Sequence, residues 1–324
     1  MQKICVNMEY LILILSLAGI VLGADFLVKG AVVVARKCRV SSFVIGAVIV
    51  GIGTSLPELV VSTVGAIGGN SEVAIGNVVG SNIFNVFAIL GLTALFFPIA
   101  VSRENMKFEI PFCIAVSILL MLLVYNFFIV GEPRLGRWDG AALLLVFTSF
   151  MWISLRRGKS SAAAGEESVE EVNKSLWFAA FSILGGLAAL IVSSNFFVDE
   201  AVAIARKLGV SDAFISITLL ACGTSLPELA ASVTAAVKKD TDMALGNIIG
   251  SNIFNATMIL GTASLITPLT TGKIGLVDYG AMILAAVLPM IFGIRGKITR
   301  IEGLLMLLCY AAYTWYIVTY VMAV

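Results

Sequence analysis

The sequence contains no histidine and few charged residues: Asp, Glu, Lys and Arg make up 13% of its 324 residues, about half of the roughly 25% found in soluble domains. The absence of histidine excludes enzymes whose chemistry depends on an imidazole. The shortage of charge excludes a soluble fold, because so few charged side chains cannot cover the surface of a chain this long. Since 60% of the residues are hydrophobic, we expect an integral membrane protein.

Cysteine pairs and an excess of one charge are also missing. The five cysteines are scattered singly, with no C-x-x-C pair, so neither a disulfide framework nor a zinc or iron–sulfur site is indicated. Lys and Arg number 21 against 20 Asp and Glu, a net charge of +1, which argues against a nucleic-acid partner. No feature of the sequence indicates a cofactor or an obligate protein partner, and we expect the lipid bilayer to surround most of the chain.

Ten segments of the chain are apolar over the about 20 residues that a transmembrane helix needs. This pattern predicts an all-α polytopic membrane protein with ten transmembrane helices. The predicted spans are residues 8–34, 42–67, 72–98, 108–130, 138–155, 176–203, 212–237, 242–268, 275–294 and 301–323.

The loops between these spans differ in positive charge. With ten spans, alternate loops face opposite sides of the membrane; one set carries 14 Lys and Arg residues, and the other, which includes both termini, carries six. By the positive-inside rule the first set is cytoplasmic. We therefore expect a multi-pass protein of the cell (inner) membrane with both termini extracytoplasmic.

One long polar segment divides the chain. Residues 156–175, RRGKSSAAAGEESVEEVNKS, are rich in small and charged residues and are predicted to form a flexible cytoplasmic linker. This linker separates a first half, residues 1–155, from a second half, residues 176–324. Each half holds five predicted spans.

The two halves are related by an internal repeat. Residues 53–91 and 223–261 align without a gap at a constant offset of 170, and 21 of these 39 positions are identical. Because each half has an odd number of spans, the second copy enters the membrane from the opposite side, and the fold is predicted to be two inverted five-helix repeats. The strongest shared motifs are GTSLPEL at 53–59 and 223–229, and GN-x-x-GSNIFN at 76–85 and 246–255.

Equivalent motifs of an inverted repeat meet near the bilayer centre, and Glu58 and Glu228 are equivalent residues. A carboxylate at that depth costs a few kcal/mol and needs a partner. Two carboxylates that approach each other repel unless a cation lies between them. These two glutamates are therefore the strongest candidates for a binding site.

The residues around each glutamate offer further oxygen ligands. On a helix, Thr54 and Ser55 lie on the same face as Glu58. Pro57 has no amide hydrogen, so the carbonyls of residues 51–54 are expected to be free to turn inward. The second motif repeats this arrangement with Thr224, Ser225, Pro227 and Glu228 after the carbonyls of residues 221–224.

The following span adds a polar stripe, in which residues with amide or hydroxyl groups recur at intervals of four. Hydroxyl, amide, carbonyl and carboxylate oxygens together suit a hard cation such as calcium, whereas the lack of histidine argues against zinc or copper. The stripe consists of Asn77, Ser81 and Asn85 in the first repeat and of Asn247, Ser251 and Asn255 in the second.

Some polar and small residues in the spans have structural interpretations. The charged residues Asp25 and Lys29, four apart in the first span, are predicted to form a local ion pair. For four asparagines, hydrogen bonding between helices is as good an explanation as ion binding. They are Asn77, Asn82, Asn247 and Asn252. A role in close helix packing is expected for four glycines, Gly76, Gly80, Gly246 and Gly250.

The paired GTSLPE and GN-x-x-GSNIFN motifs in inverted five-helix halves resemble the two alpha-repeats of the sodium/calcium exchangers, within the cation/calcium antiporter superfamily. The resemblance covers essentially the whole chain and is closest to compact prokaryotic members, because only a short linker stands where animal exchangers carry large cytoplasmic domains. It implies a secondary active antiporter, not an enzyme, that exchanges Ca2+ for Na+ by alternating access. Both ions would be transported substrates.

The resemblance also implies which residues bind the ions. Calcium is implied to bind Glu58 and Glu228 together with the backbone carbonyls of Thr54 and Thr224. Some family members have an aspartate where this chain has Asn255, and a neutral residue there removes the titratable group on which a potassium dependence would rely. Sodium is implied to use the same two glutamates, Thr54, Thr224, Ser55, Ser225, Ser81, Ser251 and the carbonyls of Gly51 and Ala221, while Asn85 and Asn255 match the family's central polar pair.

Three other functions are compatible with parts of the sequence. An antiporter that couples Ca2+ or another hard cation to H+ would use the same ligands. A cation channel also uses carboxylates and carbonyls, but the sequence offers one pseudo-symmetric site instead of a four-fold ring. An intramembrane enzyme would need a nucleophile beside a base, and no such pair is recognisable around Ser55.

Overall fold

The computed structural model describes residues 2–125, 133–161, 175–208 and 221–321. These residues are almost entirely helical, and the predicted all-α polytopic membrane fold is confirmed. Eight helices in these ranges are long and apolar enough to cross a membrane, and a bent pair of helices provides a ninth span. The predicted span 212–237 falls partly on residues 209–220, which lie outside the described ranges.

The first helices of the two repeats, α1 (Gln2–Cys38) and α7 (Leu176–Lys207), pack along each other. Glycine allows the two backbones to approach closely. A Cβ atom on Gly186 of α7 would lie only 2.6 Å from the backbone nitrogen of Leu27 on α1. The contact between α1 and α7 therefore depends on the missing side chain at this position.

The second span is broken near its middle. Helix α2 (Ser42–Thr54) and helix α3 (Leu56–Ile67) meet at an angle of 47°, and Ser55 between them has φ −84° and ψ 10°. The break lies where Pro57 removes a helical hydrogen bond. It therefore confirms the irregular backbone that the sequence predicts at this depth.

The second repeat has the same break. Helices α8 (Ala221–Gly223) and α9 (Leu226–Val237) flank Ser225, which has φ −91° and ψ 6°. These values are close to those of Ser55, and Pro227 stands where Pro57 stands in the first repeat. The duplicated motif thus produces the same local backbone twice.

Helices α4 (Ser71–Phe96) and α10 (Thr241–Ile266) are the most buried of the described spans. Each contains a π-helical stretch, Asn85–Leu90 in α4 and Asn255–Ile259 in α10. Both stretches begin at the asparagine that ends the GN-x-x-GSNIFN motif. Such π-helical turns alter the direction of the side chains around them and are frequent at functional sites.

The glycines of α10 have the predicted packing role. A Cβ atom on Gly246 would lie 2.2 Å from the carbonyl oxygen of Phe43 on α2, and one on Gly250 would lie 2.4 Å from the Cα atom of Ala47. The equivalent neighbours of Gly76 and Gly80 would be residues 213 and 217, which are outside the described residues. Their packing role stays a prediction.

Four further helices complete the two repeats. Helix α6 continues beyond the predicted end of its span at residue 155, and residues 162–174, most of the predicted linker, lie outside the described ranges. The division into two halves and a linker is therefore still a prediction from the sequence. The four helices are α5 (Asn105–Tyr125), α6 (Arg137–Ser161), α11 (Leu276–Gly293) and α12 (Arg300–Tyr316).

Two short antiparallel ladders connect the repeats. Strand β1 (Ile99–Ala100) pairs with β4 (Lys297–Ile298), and β2 (Arg134–Leu135) pairs with β3 (Leu269–Thr270). In each ladder one strand comes from the first repeat and the other from the second. Because β1 and β3 are equivalent at the offset of 170, the two ladders are exchanged by the symmetry of the inverted repeat.

The two repeats differ in how their central helices are covered. Helix α1 packs against α9, whereas among the described residues α7 makes no comparable contact with α3. Ala231 on α9 is consequently 1% exposed, while the equivalent Val61 on α3 is 36% exposed and its neighbour Val64 is 63% exposed. The surface of α9 is thus covered by α1, and among the described residues the equivalent surface of α3 is not covered by α7.

Ion pairs hold α1 to its neighbours. Asp25 lies 2.6 Å from Lys29, and the predicted local ion pair is confirmed. Asp25 also lies 2.6 Å from Lys238, which follows α9, and the sequence did not predict this contact. At the other end of α1, Glu9 pairs with Lys207, the last residue of α7.

Candidate cation-binding site

The two predicted central glutamates lie in the first turns of α3 and α9, directly after the helix breaks, and both are fully buried. Each carboxylate accepts a hydrogen bond from a serine of the other repeat. Ser55 Oγ donates to Glu228 Oε1 over 2.7 Å, and Ser225 Oγ donates to Glu58 Oε1 over 3.0 Å. These reciprocal bonds bring the glutamates together between the repeats, as the inverted sequence predicts.

The helix breaks explain why two carboxylates are tolerated here. At the start of a helix the first amide groups have no intrahelical partner, and the helix dipole favours negative charge there. Glu58 and Glu228 each occupy this position. The breaks thus provide part of the stabilisation that water would give to the two carboxylates.

Asn77 and Asn247 attach the neighbouring helices to the glutamates. Asn77 Nδ2 donates to the backbone carbonyl of Glu58 over 3.2 Å, and Asn247 Nδ2 donates to that of Glu228 over 3.1 Å. Asn247 Oδ1 also accepts a hydrogen bond of 3.3 Å from Thr54 Oγ1 of the other repeat. Of the two interpretations of these asparagines, the structure therefore shows hydrogen bonding between helices.

The carbonyl of Gly51 faces the second repeat. It accepts a hydrogen bond of 3.2 Å from Ser251 Oγ and one of 3.4 Å from Thr54 Oγ1. It also keeps the helical bond of 3.1 Å from the Ser55 amide, so the prediction that Pro57 frees this carbonyl is wrong at Gly51. Ala221, the equivalent of Gly51, is the first residue of α8. Ser251 is thus engaged with the protein backbone, whereas its equivalent Ser81 is a buried hydroxyl without a partner among the described residues.

Four asparagines form a closed network between α4 and α10. Asn82 Nδ2 donates to the backbone carbonyl of Asn252 over 3.0 Å, and Asn252 Nδ2 donates to that of Asn82 over 3.1 Å. Asn255 Nδ2 donates to Asn82 Oδ1 over 3.1 Å, and Asn85 Nδ2 donates to Asn252 Oδ1 over 3.0 Å. The network, which we call the asparagine quartet, has the two-fold symmetry of the repeat, and its connectivity was not predicted.

Several buried oxygen atoms of the predicted ligands have no hydrogen-bond partner in the part of the chain that the structure describes. Each such atom costs about 1–3 kcal/mol, and a charged one costs more. Calcium binds six to eight oxygens in flexible geometry, so an unsatisfied set of oxygens suits a cation. The set comprises six atoms: Glu58 Oε2, Glu228 Oε2, Ser81 Oγ, Thr224 Oγ1, Asn85 Oδ1 and Asn255 Oδ1.

The charge of the site comes from the two glutamates alone. Lys29, Lys238, Lys207 and Arg295 pair with Asp25, Glu9 and Glu302, and neither central glutamate takes part in these ion pairs; no cluster of three or more acidic or cysteine side chains suited to a metal occurs among the described residues. The two carboxylates therefore lack a basic partner within the described part of the protein. A cation here would be held by two carboxylates and by neutral oxygens.

The sequence matches a known family over both repeats. The model of the family described as "Sodium/calcium exchanger protein" matches residues 8–156 and 178–319. The sodium/calcium exchanger MaX1 of Methanosarcina acetivorans is 34% identical over an alignment of 342 residues including gaps, which covers 95% of this chain and 98% of MaX1. The inner membrane protein YrbG of Escherichia coli is 33% identical over 292 residues, 86% of either chain.

A solved structure has the same fold. The sodium–calcium exchanger NCX_Mj, soaked with 10 mM Na+ and zero Ca2+, superimposes with a TM-score of 0.82 at 32% sequence identity. The superposition covers 97% of this chain and 99% of that chain. The similarity therefore extends over both repeats and is not confined to the two motifs.

Proposed function

Because this chain belongs to the sodium/calcium exchanger family and is therefore a transporter of the cation-exchanger type, we propose that it exchanges Ca2+ for Na+ at the site around Glu58 and Glu228. The observation that carries this proposal is the set of six buried oxygens without hydrogen-bond partners among the described residues. Two of the six belong to carboxylates and four to neutral groups. Hard cations such as Ca2+ and Na+ prefer such ligands.

We assign the ligands as the sequence predicts. Glu58 and Glu228 supply the charge, and the hydroxyl and carbonyl groups complete the coordination of either ion. Thr224 lies beside Glu58 and Thr54 lies beside Glu228, which supports their place in the site. The remaining proposed ligands are Ser55, Ser225, Ser81, Ser251, Asn85, Asn255 and the carbonyls of Gly51 and Ala221.

The charge of the two glutamates accounts for exchange. Ionised, they carry two negative charges, which one Ca2+ or two Na+ ions neutralise. Without a cation, two like charges would face each other in a medium of low dielectric constant, which is costly. The protein therefore changes between its inward-facing and outward-facing states more readily when the site is occupied than when it is empty, and one ion is exchanged for the other.

We further propose the orientation that the charge distribution predicts. Both termini are extracytoplasmic, and the linker around residues 162–174 is cytoplasmic, because the loops on that side carry most Lys and Arg residues. The relative YrbG is named an inner membrane protein, which supports the inner membrane as the location. In this orientation, α9 lies in the cytoplasmic half of the membrane and α3 in the outer half.

Uptake of radiolabelled calcium into proteoliposomes tests the proposal. Vesicles loaded with sodium are compared with vesicles loaded with choline at equal pH. We expect uptake only with internal sodium and its loss in Glu58→Gln and Glu228→Gln. Asp199→Asn is the matched control, because it removes an exposed carboxylate from α7 and is expected to leave uptake unchanged.

Each other outcome contradicts a stated part of the proposal. Uptake that ignores sodium but follows a pH gradient would replace Na+ by H+ as the coupling ion. Uptake that needs no ion on the opposite side would indicate a channel. Uptake that survives in both glutamate variants would place the binding site elsewhere.

A further inference from the structure

The asparagine quartet has a consequence for how the site binds Na+. We propose that Asn82 and Asn252 are positioning residues, which fix the amide groups of Asn85 and Asn255 so that both Oδ1 atoms remain available to a transported Na+ ion. Asn82 and Asn252 themselves do not touch the ion. This inference rests on the proposed function, since it concerns the same site.

The orientation of Asn82 and Asn252 is determined by the backbone. Each Nδ2 donates to the main-chain carbonyl of the other residue. A carbonyl can only accept, so an amide rotated by half a turn would place oxygen against oxygen. The Oδ1 atoms of Asn82 and Asn252 must therefore face the other two asparagines.

The orientation of Asn85 and Asn255 follows from this constraint. Because the Oδ1 atoms of Asn252 and Asn82 accept, Asn85 and Asn255 have to present Nδ2 to them. The hydrogen-bond network therefore fixes which end of each amide group is the oxygen and which is the nitrogen, which an isolated amide would leave open. The Oδ1 atoms of Asn85 and Asn255 then point away from the quartet, and neither has a hydrogen-bond partner among the described residues.

Both oxygens are inaccessible to bulk water in this structure. Asn85 is 0% exposed and Asn255 is 1% exposed, and each begins a π-helical stretch. A buried carbonyl-type oxygen without a donor is unfavourable unless a cation or a water molecule satisfies it. The sequence placed both residues among the ligands, so a bound cation is the fitting partner.

The chemistry of this arrangement favours Na+ over Ca2+. The quartet contains no titratable group and offers two neutral oxygens. A Na+ ion carries half the charge of Ca2+ and is therefore attracted less strongly by the two carboxylates, so its binding depends more on the neutral oxygens around it. We therefore expect the quartet to affect Na+ binding more than Ca2+ binding.

Alanine substitutions in the quartet test the inference. In Asn82→Ala the Nδ2 group of Asn255 loses its acceptor, so its amide can rotate; Asn252→Ala does the same to Asn85. The loss of one hydrogen-bond-sized interaction corresponds to about a fivefold change in affinity. We expect the Na+ concentration that gives half-maximal thermal stabilisation of the purified protein to rise about fivefold, with a lower Hill coefficient for Na+. The corresponding Ca2+ concentration is expected to change less than twofold.

Two control variants separate positioning from stability. Thr257→Val removes a buried hydroxyl that donates to the carbonyl of Ile253 within α10, close to Asn255 but outside the quartet. It is expected to lower stability without changing the ratio of Na+ to Ca2+ affinity. In its neutral form, the carboxyl group of Asn82→Asp can donate its O–H to the carbonyl of Asn252 and still accept from Asn255 Nδ2, so Na+ binding is expected to stay close to that of the wild-type protein at a pH at which this group is protonated.

The outcomes distinguish this inference from the proposed function. Equal weakening of both ions, or loss of stability with unchanged ion affinities, would assign Asn82 and Asn252 a structural role only and overturn the inference. Unequal effects of the two alanine variants would contradict the two-fold symmetry on which it rests. Wild-type protein that Ca2+ stabilises and Na+ does not would overturn sodium coupling and, with it, this inference.

Discussion

At the scale of single residues, Thr54 and Thr224 are equivalent in sequence but differ in their hydrogen bonds. Thr54 Oγ1 donates to Asn247 Oδ1 over 3.3 Å, whereas Thr224 Oγ1 has no hydrogen-bond partner in the described ranges. In ion-free protein we expect Thr54→Val to lower the free energy of unfolding by about 1 kcal/mol and Thr224→Val to lower it less. Thermal unfolding of the purified variants measures both effects.

The same pair gives the opposite order when calcium is added. Bound calcium stabilises the folded protein more as its affinity increases, and the Thr224 hydroxyl is available to contribute to that binding in addition to the backbone carbonyl, which Thr224→Val retains. Stabilisation by calcium should therefore be smaller in Thr224→Val than in the wild-type protein. Equal losses of ion-free stability in the two variants would contradict the difference in hydrogen bonding.

Residue-level prediction from the sequence succeeded where the repeat itself fixes proximity. Glu58 and Glu228 were predicted to converge, because inverted copies bring equivalent mid-span residues together, and the reciprocal serine bonds show them together. The asparagine quartet and the bond from Asn247 to Thr54 could not be predicted. They depend on how closely α4 and α10 cross, which is set by packing and not by the motif alone.

At the scale of the helices, the contact between α1 and α7 offers a matched pair of neighbouring glycines. A Cβ atom on Gly186 would lie 2.6 Å from the backbone nitrogen of Leu27, whereas one on Gly185 would have no atom of the described residues within 4 Å. Overpacking a tight contact typically costs about 1–3 kcal/mol. We expect Gly186→Ala to lower the unfolding temperature in detergent and Gly185→Ala to leave it unchanged or raise it.

This comparison controls for helix propensity, because both variants replace glycine by alanine in the same helix. Alanine favours the helix at either position. A fall in stability in Gly186→Ala alone therefore reports on the distance between α1 and α7. Equal behaviour of the two variants would contradict the close approach of the backbones.

Element boundaries were partly predictable. The breaks at Ser55 and Ser225 follow from the prolines two residues later, since a proline removes a specific hydrogen bond. The π-helical stretches at Asn85 and Asn255 were not predicted, because apolar periodicity does not reveal one extra residue in a turn. The extension of α6 to Ser161 was also missed, since a polar composition indicates solvent exposure and does not exclude a helix.

At the scale of the whole molecule, the neighbouring helices cover α3 and α9 unequally. Helix α1 covers α9, and Asp25 pairs with Lys238 at that side. The equivalent surface of α3, which includes Val64, is open. In the proposed orientation α9 is thus covered by α1 in the cytoplasmic half of the membrane, whereas among the described residues the equivalent face of α3 in the outer half is not covered by α7.

Spin labels on equivalent residues test this asymmetry. In a background without the five native cysteines, labels are attached to Val64→Cys on α3 and Thr234→Cys on α9. Val64 is 63% exposed, whereas Thr234 is partly buried on a helix that packs against α1, so we expect a mobile nitroxide at residue 64 and a more restricted one at residue 234. Equal mobility at the two sites would contradict the asymmetric packing.

The two β-ladders show which parts belong to one frame. Each ladder joins a loop of one repeat to a loop of the other, and in the ten-span topology they lie at opposite faces of the membrane. The repeat symmetry was predictable from the offset of 170, but the ladders were not, because two-residue strands leave no pattern in an apolar sequence. The ladders connect the helices that follow α3 to the helices that follow α9, and they do not include α1 or α7.

The ion pair between Glu9 and Lys207 affects the charge that the chain presents during membrane insertion. The triplet Ala35-Arg36-Lys37 at the end of α1 recurs as Ala205-Arg206-Lys207 at the end of α7. In the proposed orientation, the second copy of this basic cluster lies on the extracytoplasmic side, although clusters of Lys and Arg favour the cytoplasmic side. Glu9, which belongs to the half that is synthesised first, pairs with Lys207 and so offsets one positive charge of that cluster.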